Sequence, residues 1–457
     1  MDLTKVESVY FLGIGGIGMS ALARYFLSLG KKVSGYDRTS TALTTALQQE
    51  GITISFNANV SLIPAGIDVV IYTPAVKQDH PAYEYFRNAG IPLFKRAEIL
   101  GRISEHYNTI AIAGTHGKTT TTTLTAHLLT QSKVKCQAFL GGISRNYSTN
   151  LILDASSRFL VAEADEFDRS FLQLHPYIAV ITSVDADHLD IYGNHASLLE
   201  SFSSFAGKIT EGGYLIIKHG LDLPLKLKSG VKVLSYSAGA ECDYYPAGIG
   251  LHSGLYTFDL HHPKGVIHNL TLGIPGYYNI ENAVAASACA LLSGISEDEL
   301  RDALLTFKGV ERRFDIRINE SELVYLDDYG HHPEELKACI SSARQMFPGL
   351  KITGIFQPHL YTRTRDFADD FALQLSQLDE VILLPVYPAR ELPIPGITSE
   401  MLLEKITAPN KKLVQKSALP MILDSSKLEV LITMGAGDID TLVKPIENYL
   451  KQFLQKK

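Results

Sequence analysis

The stretch AIAGTHGKTTTTTLTAHLL, Ala111 to Leu129, decides how the rest of the chain is read. A short apolar run, Thr109 to Ala113, stops at Gly114. A polar loop of Thr115, His116 and Gly117 follows, then Lys118, five threonines and a helix-like pattern. Strand, glycine loop, Gly-Lys-Thr, helix is the layout of a phosphate-binding loop, in which backbone N–H groups and the positive end of a helix hold an anion. Lys118 supplies a point charge for the outer phosphates, and the Thr119 hydroxyl is placed to reach Mg²⁺. The spacing G-x-x-G-K-T is shorter than the standard G-x-x-x-x-G-K-[ST]. A glycine turn entering a Thr-rich helix explains the glycines but not the Lys118–Thr119 pair beside them.

Upstream, SVYFLGIGGIGMSALARYFLSLG (8–30) reads as strand, glycine turn and helix, with Gly13, Gly15 and Gly18 in a G-x-G-x-x-G pattern that also takes in Gly16 and Ile17. In such a turn the glycines permit a tight bend, a close approach of phosphate and close helix packing. The next strand, KKVSGYD, ends at Asp37, about 20 residues on, where a ribose-binding acid belongs. The pattern suits NAD, and equally any ligand with a diphosphate and a ribose. Further βα alternation runs through DVVIYTPAV and PLFKRAEIL. It predicts a small parallel sheet with Thr73 and Arg96 at strand ends, where ligands of such sheets sit.

Downstream of the phosphate loop, FLVAEADE emerges into Glu163, Asp165 and Glu166. YIAVITSVDADHLD emerges into Asp185, Asp187, His188 and Asp190. Some of these acids serve as helix caps, but two apolar strands ending in acid beside a phosphate loop suggest a divalent-metal site, with Glu163 and His188 nearest the strand ends. Residues from about 231 to 272 alternate in the manner of antiparallel strands. IPGYYNIENAVAA then opens a helix carrying Asn279 and Asn282, as caps or as partners of a base.

The last third repeats the βα plan. GVERRFDIRI carries Arg313. LVYLDDYGHHPEEL ends a strand in Asp327, Asp328, Tyr329, His331 and His332. QPHLYTRTRDF brings His359, Arg363 and Arg365. Histidines beside arginines suit an anionic substrate and a group that must lose a proton near neutrality. No short spacing joins these histidines to Cys, which argues against zinc.

Composition sets the outer bounds. The 457 residues are 46% hydrophobic and 20% charged, as in a soluble globular protein too long for one core. A net charge of −7 argues against nucleic acid as the main partner. The four cysteines are scattered and read as incidental thiols of a reducing compartment. No apolar run reaches the ~18 residues of a membrane span, and the N-terminus lacks the pattern of a signal peptide. A cytoplasmic protein, monomeric or weakly dimeric, with no membrane association is expected.

Taken together, GIGGIGMSALA, GTHGKTTTT, VAEADE, VDADHLD, PGYYNIENAVAA, GVERRFD, DDYGHHP, QPHLYTRTRD, VYPARELPIPG and GAGD resemble, in order and over nearly the whole chain, the Mur ligases. These are the ATP-dependent amide-forming enzymes of peptidoglycan synthesis. The resemblance implies an α/β protein of three domains. These are a Rossmann-like UDP-binding domain (1–107), a central P-loop ATPase-like parallel sheet with a small antiparallel portion (108–310), and a Rossmann-like domain that closes over ATP and holds the amino acid (311–457). UDP, not NAD, would then occupy the first domain, at Gly13, Gly15, Gly16, Ile17, Gly18, Asp37, Thr73 and Arg96. ATP would meet Gly114, Thr115, His116, Gly117, Lys118, Thr119, Thr120, Asn279, Arg313 and Asp328. Thr119, Glu163 and His188 would hold Mg²⁺, or Mn²⁺ in its place. Tyr329, His331, His359 and Arg363 would frame the amino acid, with Lys118, His331 and His359 in catalytic roles. DDYGHHP and TRTRD imply UDP-N-acetylmuramate and L-alanine as co-substrates, the alternative being the family's murein-tripeptide recycler. The chain departs from the family pattern at Tyr278 (usually His), Leu360 (usually Arg in close relatives) and Asp315 (usually Gln). Ser203 stands where sister ligases carry a carbamylated lysine, so no such lysine is expected.

Overall fold

A computed structural model describes residues 3–186, 189–389 and 391–456. Runs of Val, Ile, Leu and Ala, too short for helices and bounded by glycines, form buried strands; the longer amphipathic runs between them form helices. The first sheet is parallel throughout: β1 (Ser8–Leu12), β2 (Lys32–Tyr36), β3 (Thr53–Ser55), β4 (Val69–Tyr72) and β5 (Leu93–Lys95), in the order β3-β2-β1-β4-β5. The order reverses between β1 and β4, which places the Gly13 turn and Thr73 side by side at the carboxyl edge.

The second sheet has seven strands. They are β6 (Asn108–Ala113), β7 (Gln137–Ser144), β8 (Thr149–Ile152), β9 (Phe159–Glu163), β10 (Ile178–Ile181), β11 (Tyr214–Lys218) and β12 (Lys232–Tyr236). Their order is β12-β11-β10-β6-β9-β7-β8, and only the edge strand β8 runs antiparallel. β6 lies between β10 and β9, so the loops after all three open side by side. Lys232–Tyr236, expected among antiparallel strands, instead extends this sheet in parallel with β11. The antiparallel portion is a separate meander of β13 (Tyr245–His252), β14 (Leu255–His262) and β15 (Gly265–Leu272), joined by two-residue turns.

The third sheet holds β16 (Asp315–Glu320), β17 (Leu323–Asp328), β18 (Ile352–Phe356), β19 (Glu380–Leu383), β20 (Asn410–Leu413) and β21 (Val430–Met434). Its order is β16-β17-β21-β18-β19-β20, with only β16 antiparallel.

The chain packs as two compact units. One comprises Met1–Gly250, Thr257–Gly273 and Glu281–Lys308; the other comprises Leu251–Tyr256, Ile274–Ile280 and Gly309–Lys457. In the first unit one apolar core runs through the first two sheets, from Val9 and Phe11 to Ala111, Leu160 and Ile181. The helix Ile17–Ser28 seals that junction. Tyr25 packs on Phe139, and Asn150 donates to the Ile17 carbonyl at 2.6 Å and to Ser20 Oγ at 2.9 Å. In the second unit the third sheet has a core on each face, one around Phe356 and Leu326, the other around Tyr325 and Ile355.

Candidate active site

At the carboxyl edge of the second sheet, β6 ends in Gly114 (φ +134°) and the loop turns again at Gly117 (φ +80°). Both are conformations that only glycine adopts cheaply. A side chain at Gly114 would also run into the Ser183 amide, and one at Gly117 into Asn282 Oδ1. Gly117 caps the helix Lys118–Gln131 without any side-chain hydrogen bond, so the first N–H groups of that helix are left for an anion. The residues after β10 brace the loop: Thr182 Oγ1 donates to the His116 carbonyl at 2.5 Å, Ser183 Oγ accepts from the His116 amide at 2.8 Å, and Thr115 Oγ1 accepts from the Asp185 amide at 3.1 Å. His116 Nε2 lies 3.6 Å from Asp185. Asn282 reaches the helix, accepting from Thr121 Oγ1 at 3.2 Å. Thr119 and Thr120 are buried at the helix start.

Lys118 folds back across its own loop. Its ammonium donates to the Gly114 carbonyl at 2.5 Å and to Glu166 Oε1 at 2.9 Å; its side chain is 13% exposed and that of Glu166 only 1%. Burial works to lower the Lys118 pKa, but Glu166, Asp165 and Glu163 outweigh it and hold the ammonium firmly charged. Glu163 ends β9 beside Gly141, where any side chain would overlap its carboxylate. A hydroxyl at the helix start and a carboxylate at the strand end are hard oxygen donors of the kind Mg²⁺ prefers. Among the described residues, no three His, Cys, Asp or Glu side chains converge to hold a cation alone. His188 lies outside the described residues.

Past Glu166 the chain makes an unusual turn. Asp168 (φ +53°) and Arg169 (φ +55°) are both left-handed. Lys95 holds Asp168 at 2.7 Å, Arg96 lies 3.6 Å from Asp165, and the Arg169 guanidinium covers the Tyr192 ring at 5.4 Å. The acid turn is thereby tied to the carboxyl edge of the first sheet.

There the three glycines have different neighbours. Gly13 (φ +82°) turns the chain against Thr73. The Gly15 amide donates to Asp37 Oδ2 at 2.8 Å, and a side chain at Gly15 would strike Asp37 and Thr44; this glycine therefore accommodates the acid itself. A side chain at Gly18 would overlap the Arg96 guanidinium. Gly16 caps the helix Ile17–Ser28 without a side-chain bond, so Arg96 and open helix N–H groups lie together at one helix start.

In the second unit, Asp328 ends β17 with both carboxylate oxygens accepting backbone N–H groups, from Phe314 and from Gly330, each at 2.7 Å. Burial raises its pKa to about 6, against the opposing pull of Arg313 and these two bonds. Arg312 and Arg313 both lie over the Tyr329 ring, at 5.3 and 4.9 Å. From Tyr329 a row of rings continues through His331 (5.2 Å) and His359 (5.8 Å) to Tyr387 (5.8 Å). Glu335 receives the His331 amide at 2.9 Å and lies 3.5 Å from Arg313. Arg363 is buried to 9% exposure. Asn279 donates to the Pro275 carbonyl at 2.6 Å. It is Asn282, in the other unit, that meets the phosphate loop.

Sequence reading missed several of these partners. Glu166 was one acid among several, and Thr182 and Ser183 were merely the end of β10. Glu335 carried a signal, four residues from His331 on a helix start, whereas Tyr387 carried none.

A phosphate loop braced from the neighbouring strand and a glycine turn in the first unit, with an imidazole–guanidinium array in the second, define a nucleotide-using enzyme built from three α/β sheets. The chain belongs to the Mur ligase family. Its residues 8–108 match the model of the family's catalytic domain, residues 112–290 the Mur ligase middle domain, and residues 312–437 the Mur ligase glutamate ligase domain. It is 49% identical over 461 residues to a UDP-N-acetylmuramate–L-alanine ligase of Parabacteroides distasonis, with both chains covered completely. It is 50% identical over 452 residues to the enzyme of that name from Phocaeicola vulgatus, covering 98% of each. Among solved structures, the UDP-N-acetylmuramate–alanine ligase of Thermotoga maritima superposes with a TM-score of 0.84 at 27% identity, over 98% of this chain and 100% of the other. A murein peptide ligase of Psychrobacter arcticus shares the fold at a TM-score of 0.73 and 20% identity, over 97% and 98%.

Proposed function

We propose that this chain joins L-alanine to the lactoyl carboxylate of UDP-N-acetylmuramate, with ATP converted to ADP and phosphate. One observation carries the reading: relatives of that name align at about half identity along the whole chain, leaving no sheet or loop of the site outside the match. The geometry supports it. The uncapped start of the helix Ile17–Ser28, with Arg96 beside it, suits the UDP diphosphate; Asp37, Thr73 and the Gly13–Gly18 turn complete that station in residues 1–107. The loop Gly114–Thr120 and its helix suit the ATP phosphates in residues 108–310, with Asn279, Arg313 and Asp328 as further contacts. Tyr329, His331, His359 and Arg363 suit the amino acid in residues 311–457.

In this reading the muramoyl carboxylate attacks the γ-phosphorus, the bond to the β-phosphate oxygen breaks, and ADP leaves. Lys118 and the helix N–H groups balance the charge of two anions brought together. The neutral amine of L-alanine then adds to the acyl carbon of the acyl phosphate, loses a proton, and expels inorganic phosphate. His331 or His359 takes that proton. Thr119 and Glu163, with His188, would hold Mg²⁺ or Mn²⁺, which when bound screens the phosphate oxygens. The cytoplasm, where ATP and UDP-sugars are available, is the proposed compartment, and among the described residues no helix is long and apolar enough to cross a membrane.

The test is ADP release with UDP-N-acetylmuramate against L-alanine, L-serine, glycine and the murein tripeptide. L-alanine should give the highest kcat/KM, and release should require both co-substrates. Preference for the tripeptide would assign the recycling reaction instead. ADP release without either co-substrate would make the protein a simple ATPase.

A further inference from the structure

Leu360 is one of ten non-glycine residues with positive φ among the described residues. At φ +70° and ψ 136° it is outside even the left-handed helical region and in territory that glycine alone enters readily. Its surroundings account for this. On its N-terminal side the chain is pinned in a strand-like bridge: Tyr387 donates its amide to the Pro358 carbonyl at 2.8 Å, and the Leu360 amide donates to the Tyr387 carbonyl at 2.9 Å. On its C-terminal side a helix, Tyr361–Asp366, begins at once. The Leu360 carbonyl accepts from the Thr364 amide at 3.1 Å and from Thr364 Oγ1 at 2.7 Å. A strand bridge ending at one residue and a helix starting at the next leave the whole change of direction to Leu360.

The two arms of this elbow carry His359, whose ring stacks 5.8 Å from Tyr387 at 18°, and Arg363 in the first turn of the helix. We propose that Leu360 is a positioning residue: its backbone elbow fixes the spacing and direction of His359 relative to Arg363, so that both meet the amino acid consumed in the ligation. Its side chain contributes little to this; the contribution lies in a backbone shape held by hydrogen bonds on both sides. The inference rests on the reading of L-alanine as the acceptor.

Two variants of the full chain separate backbone from side chain. Leu360→Ala truncates the side chain and keeps the restriction on φ. Leu360→Gly removes it together with the Cβ and lifts the steric cost of the positive φ. Gly should unfold at a higher temperature than Ala by a few degrees, the reverse of the ordinary order, because only Gly adopts this conformation without strain. The KM for L-alanine should stay within about twofold of wild type in both, because the hydrogen bonds on either side keep the elbow, and should rise about tenfold in Leu360→Pro, whose ring holds φ near about −65° and removes the amide that meets Tyr387. KM for ATP and for UDP-N-acetylmuramate should stay within about twofold of wild type in both.

An Ala variant at least as stable as the Gly variant would refute the strained elbow. A rise in KM for L-alanine shared by the Ala and Gly variants would assign the effect to the side chain and overturn the proposal, as would an unchanged KM in a folded Leu360→Pro variant. A wild-type chain that releases no ADP with L-alanine would overturn the functional reading. The stability order, which needs no substrate, would then still decide the elbow itself.

Discussion

At the scale of single residues, the buried pair of Lys118 and Glu166 sets a conflict that mutagenesis can resolve. An ammonium and a carboxylate almost without solvent, 2.9 Å apart, stabilise each other only while both are present. Lys118→Ala should abolish ADP formation. It should also destabilise the protein by about 3 kcal/mol, because Glu166 keeps a buried negative charge without its cation. Adding Glu166→Gln should recover most of the stability and none of the activity. Chemical unfolding and an ADP-release assay on the single and double variants check both halves. An active single variant would remove Lys118 from the chemistry, and a double variant no more stable than the single would deny the pairing. Residue identity made Lys118 legible in the sequence, since only a phosphate loop explains Gly-Lys-Thr after a strand. Glu166 was not legible as its partner. VAEADE offers three acids within four positions, and the twist of β9 and the turn at Asp168 decide which one reaches the lysine. Asp37 shows the same limit: its spacing suggests a ribose-binding acid, but spacing alone does not reveal that its Oδ2 also accepts the amide of Gly15 in the turn.

At the scale of elements, the phosphate-loop helix Lys118–Gln131 is positioned from its far end by His127. This side chain is fully buried. Its Nε2 lies 3.1 Å from the Ala303 carbonyl, on the helix Glu297–Thr306, and its Nδ1 lies 2.9 Å from the Tyr147 hydroxyl in the turn between β7 and β8. A carbonyl can only accept, so Nε2 carries the proton and Nδ1 accepts from Tyr147. Burial lowers the His127 pKa to about 4, opposed by the bond to Ala303. With the folded value below the unfolded one, this contribution to stability is present above pH ~6.5 and is lost as pH falls toward 4, by about 3 kcal/mol in all. His127→Gln should therefore be less stable than wild type at pH 7, and the gap should narrow as the pH falls to 4.5. Unfolding midpoints in urea at the two pH values measure this; a gap that stays constant would show that His127 does not titrate in that window. The elements themselves were largely legible, because Val- and Ile-rich runs ending in glycine admit few alternatives to buried parallel strands. Lys232–Tyr236 was misread because KVLSY is only half apolar. As the edge strand of its sheet it needs no more than that, and alternation alone does not separate a parallel edge from an antiparallel strand.

At the scale of the whole molecule, the packing units and the linear order of sheets do not coincide, and this makes the division of labour testable. Leu251–Tyr256 and Ile274–Ile280 belong to the second unit although they lie far upstream of its remaining residues. Tyr278 packs against the core around Phe356 and meets the Phe314 ring edge-on at 6.2 Å. A cut after Lys308 therefore removes the second unit's main body but leaves behind a piece of its core. The fragment 1–308 retains the first two sheets, their shared core and the braced phosphate loop, and lacks Arg313, Asp328, His331, His359 and Arg363. It should fold and bind ADP and UDP-N-acetylmuramate, each giving a measurable calorimetric isotherm, and release no ADP from ATP with both co-substrates present. The fragment 309–457 lacks Tyr278 and should unfold earlier than the same residues extended upstream to include Ile274–Ile280 through a short linker. Binding of UDP-N-acetylmuramate by 309–457 but not by 1–308 would reverse the assignment of stations. ADP release by 1–308 alone would mean that the imidazole–guanidinium array plays no part in the first chemical step.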